Sequence, residues 1–196
     1  MMNVLYKSAS GTSQIEADAK LLSERKVFVD GVIDSAAAIK FTKEIMILNL
    51  ENPDKPIDVY INSPGGDVVA GLEMYDVIQT SNAHIRLFCV GAAYSMGAVL
   101  FASGRHGRYM LPHSELMLHE PTVNNNVGGS SSYVRNIYEK LMKVQDTLNQ
   151  IIVAHTGKNA DEVRKMTESD HYFSAEESIK AGLCDEIVGF SKFMEV

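Results

Sequence analysis

Ile85-Arg-Leu-Phe-Cys-Val-Gly-Ala-Ala-Tyr-Ser-Met-Gly-Ala98 holds a strand, a turn and the opening of a helix in one continuous stretch. Ile85–Val90 is rich in the β-branched and aromatic residues that suit a pleated, buried surface. Gly91 opens a turn of small residues, and a helix is predicted from about Met96 to Ala102. An earlier stretch repeats the plan. Ile57-Asp-Val-Tyr-Ile61 reads as a strand, Ser63-Pro-Gly-Gly66 as a tight loop, and Val68 to Thr80 as a helix. Further out, Lys26-Val-Phe-Val29 is strand-like and ends at Asp30-Gly31. Ser35 to Asn49 has Ile39, Ile45, Met46 and Leu48 near one helical face, and Pro53 and Pro56 end it. Leu116-Met-Leu118 is a short apolar strand stopped by Pro121. Strands alternating with helices predict an α/β fold.

The second half differs in texture. Thr122 to Ser132, with Asn124-Asn-Asn126, Gly128-Gly129 and Ser130-Ser-Ser132, is expected to be the most flexible internal segment. It does not separate domains, because residues suited to one chemistry lie on both sides of it, and residues 1–196 read as a single domain. A helical pattern runs from about Ser132 to Thr156, where Val134, Ile137, Tyr138, Leu141, Leu148, Ile151 and Ile152 recur at three- and four-residue steps. At 1.5 Å per residue it spans roughly 37 Å, so part of it is expected to project. Gly157 can end it. Asn159 with Glu162, and Ser174 with Glu177, have capping-box spacing for two short helices.

Composition narrows the function. The net charge is −7, which argues against a nucleic-acid surface. The basic run Arg105-His106-Gly107-Arg108 is too short to change that and reads as a solvated turn. The two cysteines, Cys89 and Cys184, lie in no metal-binding spacing and fit a reducing compartment. No apolar run reaches the ~18 residues of a membrane span. Residues 1–20 lack the pattern of a secretory signal, so a cytoplasmic location is expected.

Ser95 lies between the β-rich run and the helix start, among small residues. It can stand on a sharp turn as an exposed nucleophile, with the Met96 N–H beside it as an oxyanion donor. It can equally be a plain helix N-cap. The loop Asn62-Ser-Pro-Gly-Gly-Asp67 offers the Gly66 N–H as a second donor, with Asp67 capping the next helix; an ordinary βα loop would look the same. Of the six histidines, His106 and His113 sit in polar turns, His84 precedes a strand, and His155 lies near a helix C-terminus, where the dipole favours its protonated form. His119 ends an apolar strand and is the candidate base, with His113 next. Asp170, in the extended stretch Ser169-Asp-His-Tyr-Phe173, is the candidate acid. The neighbouring His171 points to the opposite side of such a stretch.

The same residues resemble the Clp protease proteolytic subunit (ClpP) family from about Leu21 to Val188. Tyr60-Ile-Asn-Ser-Pro-Gly-Gly66 is similar to the family's oxyanion loop, Ala93-Tyr-Ser-Met-Gly-Ala98 to its nucleophile turn, and Met117-Leu-His-Glu-Pro121 to its histidine motif. His155-Thr-Gly157, Asp170-His-Tyr-Phe-Ser-Ala175 and Gly182-Leu-Cys-Asp185 follow in the family's order. The resemblance implies a crotonase-like, ClpP-type repeated ββα fold with Ser132–Thr156 as a projecting handle helix that joins rings. It implies a Ser95–His119–Asp170 triad, an oxyanion hole at Gly66 and Met96, and substrate contacts at Val68, Pro121, Thr122 and Val123. It further implies a homo-oligomer of stacked heptameric rings, fed unfolded polypeptide by an AAA+ unfoldase of the ClpX, ClpA or ClpC type, with no cofactor in the subunit. Several positions depart from the pattern: Tyr94 replaces the usual alanine, Glu120 the usual glutamine, Ser169 an arginine common at the ring–ring contact, and Thr80 an aromatic at the unfoldase dock. Residues 1–20 do not resemble the family's axial gate. Two rival readings follow: a non-catalytic subunit that assembles with an active relative, and a crotonase-type acyl-CoA enzyme with a similar oxyanion hole.

Overall fold

The computed structural model describes residues 2–8, 11–123 and 127–194. The chain opens with β1 (Asn3–Ser8) and β2 (Gly11–Glu16), an antiparallel hairpin leading into α1 (Ala17–Ser23). These strands leave no signature in the sequence, and the reason is physical. No side chain of β2 is buried, so its polar sequence carries no alternation to detect.

The main sheet begins with β3 (Lys26–Asp30), α2 (Ser35–Glu51), β4 (Ile57–Ser63), α3 (Val68–Thr80), β5 (Ile85–Tyr94) and α4 (Met96–Ala102). It continues with β6 (Arg108–Met110), β7 (Glu115–Leu118), α5 (Ser131–Thr156), α6 (Ala160–Thr167), β8 (His171–Ser174), α7 (Ala175–Lys180), β9 (Glu186–Ile187) and a 3₁₀ turn, Phe190–Met194. The strand order β3-β4-β5-β6-β9 is parallel throughout. β5 runs four residues beyond the expected Val90 and, on the edge away from β4, serves two neighbours. Leu87–Cys89 pairs with β6, and Ala92–Tyr94 pairs with β7. Gly91, at φ 96°, supplies the backbone for that fork. β8 then pairs antiparallel with β7.

Val27, Val29, Val59, Ile61, Leu87 and Cys89 face the core, where Phe41 and Leu48 of α2 and Met74 of α3 meet them. The opposite face carries an aromatic ladder. Phe28, Tyr60, Phe88 and Tyr109 stack in sequence at 4.9, 5.1 and 4.9 Å, and Phe193 of the 3₁₀ turn covers the middle. Asp34, Asp67, Ser130, Asn159 and Ser174 cap their helices, and both capping boxes are formed. In α5 the buried residues, Leu148, Ile151 and Ile152, all lie in the last third. Tyr133, Val134 and Tyr138 are exposed, so the first half of the helix stands clear of the core. Of the Asn/Gly/Ser-rich stretch, residues 124–126 lie outside the described residues.

One expectation is overturned. Arg108 is not in a solvated turn but is buried, 7% exposed, in β6. Its guanidinium pairs with Asp185 and donates to the carbonyls of Ala102, His155 and Gly182. A four-residue basic run cannot reveal such partners, since Asp185, His155 and Gly182 come from distant segments.

Candidate active site

The parallel strands end on one side of the sheet, where α/β folds present their binding loops. β5 ends at Tyr94, and the chain must turn sharply to enter α4. Ser95 makes the turn at φ 53°, ψ −121°; Arg25 is the other non-glycine residue at positive φ among the described residues. Such a conformation costs roughly 1–3 kcal/mol and persists only where its surroundings fix it. Here the Ser95 N–H donates to the Met117 carbonyl at 2.8 Å, and the Ser95 carbonyl accepts from Ala98 and Val99. The Ser95 side chain does not cap α4. Its Oγ lies 2.7 Å from His119 Nε2.

The Gly-Gly loop presses against this turn. A Cβ on Gly65 would meet the Tyr94 carbonyl at 2.6 Å and Ser95 Cβ at 2.7 Å. A Cβ on Gly66 would lie 2.1 Å from the Ile33 carbonyl. Ile33 and Gly66 form a bridge through Ile33 N–H to Gly65 O and Asp67 N–H to Ile33 O. The register of that bridge leaves the Gly66 N–H out of it. The Met96 N–H, in the first turn of α4, is likewise outside the intrahelical ladder. Ser63, which sequence reading did not single out, ties the loop down. Its hydroxyl donates to the Gly31 carbonyl at 2.6 Å and accepts from the Gly65 N–H at 3.0 Å.

His119 follows β7, whose Leu118 is fully buried. Its Nδ1 lies 3.6 Å from Asp170 Oδ1. That is beyond the usual 2.7–3.2 Å hydrogen-bond range, and the Asp170 side chain is 63% exposed. The next residue, Glu120, accepts from Gln145 of α5 at 2.7 Å. Val68, Met96, Val99, Leu118, Leu148 and Ile152 form the apolar wall of a cleft beside Ser95 and His119, with Pro121 at its rim. Thr122 and Val123 follow Pro121, exposed and outside any regular element.

The other histidines are elsewhere. His84 and His106 stack on each other at 4.0 Å, His171 stacks on Phe173, and His113 is exposed in the turn before β7. His155 sits against Tyr75, 3.2 Å from its hydroxyl. Burial, then the nearby Arg108 and Arg105, push its pKa down, the opposite direction to that expected from the helix dipole.

Two features of the site escaped sequence reading. Gly71 on α3 lets Met96 pack closely, since a Cβ there would fall 2.2 Å from Met96 Cγ. The partners of Tyr94 are the second: its hydroxyl reaches Glu115 at 2.5 Å, and its ring meets Tyr172 edge-on at 5.8 Å.

A serine hydroxyl in contact with an imidazole, beside free backbone N–H groups and an apolar cleft, is suited to nucleophilic acyl transfer. In comparison with known families, the model of the family described as Clp protease matches residues 9–190.

Proposed function

The chain belongs to the Clp protease family and has its ClpP-type α/β fold; from that premise we propose that it is a serine endopeptidase subunit acting through Ser95, His119 and Asp170. The observation that carries this reading is the Ser95 turn: a non-glycine residue held at φ 53° with its Oγ 2.7 Å from His119 Nε2. A serine needed only as a cap would use its oxygen on the helix, and this one does not.

Ser95 Oγ bonds to the carbonyl carbon of the scissile peptide as His119 Nε2 takes its proton. The carbonyl oxygen becomes an oxyanion between the Gly66 and Met96 N–H groups. When the intermediate collapses, the C–N bond breaks and the leaving amine takes the proton from His119. Water then attacks the acyl-enzyme with His119 again as base, which releases the carboxylate and restores Ser95. Asp170 holds the imidazole tautomer and stabilises the imidazolium. No cofactor enters these steps. The cleft with Val68 and Pro121 receives one apolar side chain of the substrate, and Thr122 and Val123 accompany its backbone.

The substrate is unfolded polypeptide, hydrolysed inside a homo-oligomer of stacked heptameric rings in the cytoplasm and fed by an AAA+ unfoldase. The exposed Tyr133, Val134 and Tyr138 on α5 support a handle that joins rings. Met46, Ile47 and Leu50, exposed on α2, support contact within a ring. Ser169 gives the ring–ring contact no guanidinium, which favours rings that separate readily. The free buried thiols Cys89 and Cys184 suit a reducing compartment.

A second reading, a non-catalytic subunit that assembles with an active relative, is favoured by the 3.6 Å gap between His119 and Asp170. One experiment separates the two. The purified chain is incubated with a fluorophosphonate probe, the label is mapped by mass spectrometry, and hydrolysis of a small fluorogenic peptide is followed in parallel. Label on Ser95, with label and hydrolysis both lost in Ser95→Ala, is expected. An unlabelled Ser95 in the assembled wild type would overturn the catalytic reading in favour of the second.

A further inference from the structure

The three residues of the proposed triad sit on three different strand ends. Ser95 follows β5, His119 follows β7 and Asp170 precedes β8. Their spacing therefore depends on the registers β5–β7 and β7–β8. In those registers Ala92 lies opposite Glu115, Tyr94 opposite Met117, and Met117 opposite Tyr172. Ala93, Leu116, Leu118 and Phe173 are buried beneath this patch. Period-two alternation puts Tyr94, Glu115, Met117 and Tyr172 together on the other side. There the Tyr94 hydroxyl donates to Glu115 Oε1 at 2.5 Å, and the Tyr94 ring meets Tyr172 at 5.8 Å and 84°.

We propose that Tyr94, Glu115 and Tyr172 form a positioning clamp that fixes the spacing of the strand ends carrying Ser95, His119 and Asp170. The clamp rests on the reading of those three residues as a triad. It touches no substrate, and its members act through the strands they join. Two features distinguish it from an ordinary cross-strand pair. The phenol–carboxylate bond is of the short, charge-assisted kind, roughly twice as strong as one between neutral groups. It also begins on the residue bonded to Ser95, whose backbone occupies a conformation that its surroundings must impose. The acceptor Glu115 raises the Tyr94 pKa to about 12, with burial adding to the effect, so the phenol keeps its proton across the working pH range.

The test uses Tyr94→Phe, which removes the hydroxyl and keeps the ring, with Glu115→Leu, Glu115→Gln and the Tyr94→Phe/Glu115→Leu pair. Two readouts are taken: kcat and KM on a small peptide, and hydrogen–deuterium exchange over residues 92–98. Tyr94→Phe is expected to lower kcat about tenfold with KM unchanged, short of the roughly hundredfold that an ångström of misplacement costs. Exchange over 92–98 should rise in parallel. Glu115→Gln, which can still accept the bond, should retain most of the activity, and the double variant should be no worse than Tyr94→Phe alone. Wild-type kcat and wild-type exchange in Tyr94→Phe, even with a lower melting temperature, would overturn the clamp and leave a plain stabilising pair. If Ser95 in the wild type takes no fluorophosphonate, the triad reading fails separately. The clamp then stands or falls on the exchange result alone.

Discussion

Two polar clusters in this molecule contrast sharply: the one around Arg108 and the one around Ser95. Arg108 is almost fully occupied. Its guanidinium meets Asp185 at 2.5 and 3.0 Å and three backbone carbonyls, its N–H donates to Asp185, and its carbonyl accepts from Asp185 and Cys184. All but the bond to Ala102, six residues back, join segments remote in sequence, so the cluster staples β6 to the ends of α4 and α5 and to the loop before β9. The Ser95 cluster is the reverse. Its backbone is strained, the N–H groups of Gly66 and Met96 lie outside the Ile33 bridge and the helical ladder, and Asp170 stands 3.6 Å from His119. A structural cluster closes its own valences, and a cluster suited to chemistry leaves some open.

That contrast can be broken at several points. Asp170→Asn should have the largest effect if the open cluster is a triad. We expect turnover to fall roughly 10²- to 10⁴-fold as control of the tautomer is lost. The melting temperature should barely move, since the side chain is 63% exposed. Steady-state kinetics beside calorimetry checks both halves, and retained turnover would make Asp170 a bystander. Arg108→Met should show the opposite profile. It strands buried carbonyls and Asp185, with an expected loss of about 3 kcal/mol in stability. The folded fraction should keep near-normal activity, as urea unfolding and active-site titration would reveal.

A smaller effect sharpens the same point. Ser95→Gly should stabilise the chain by about 1 kcal/mol, because glycine reaches positive φ without strain. Ser95→Ala should not, since alanine keeps the Cβ. Both should be inactive, and equal urea midpoints for the two would show that the turn stores no strain. The smallest effect belongs to His155. Its folded pKa lies below the ordinary 6.5, so the unfolded chain binds more protons in the window between the two values. Its contribution is therefore present above pH 6.5 and lost as pH falls through the depressed value. Urea midpoints between pH 7.5 and 5 should fall less in His155→Gln than in the wild type. His106, whose pKa burial also lowers, leaves a residual slope.

What the sequence revealed follows from the range of the forces involved. The limits of α3 and α4, the two capping boxes and the cap of α5 at Gly157 are local matters of turn chemistry and periodicity, and they were legible. The serine turn and the Gly-Gly loop were legible too, since each lies in a few adjacent positions, and Ser95 Oγ does meet His119 Nε2 at 2.7 Å. The hairpin β1–β2 was not, because it buries too little to leave a pattern. Neither was the fork in β5, which depends on β7 arriving beside Ala92–Tyr94. The Arg108 and Tyr94 partners lie 77 and 21 positions away, and nothing in a single sequence pairs them.

The long helix α5 has a mechanical consequence. Its root is wedged in the cleft wall through Leu148 and Ile152, while Gln145 grips Glu120, the neighbour of His119. From Leu148 to the exposed Tyr133 the arm is about 22 Å long at 1.5 Å per residue. A 5° tilt about that fulcrum would carry the tip about 2 Å and the cleft wall one turn away about 0.5 Å, on the same helical rise. The arm thus gears down motion and multiplies force about fourfold on that geometry. A push at the far end arrives at the wall of the cleft as a small, stiff displacement.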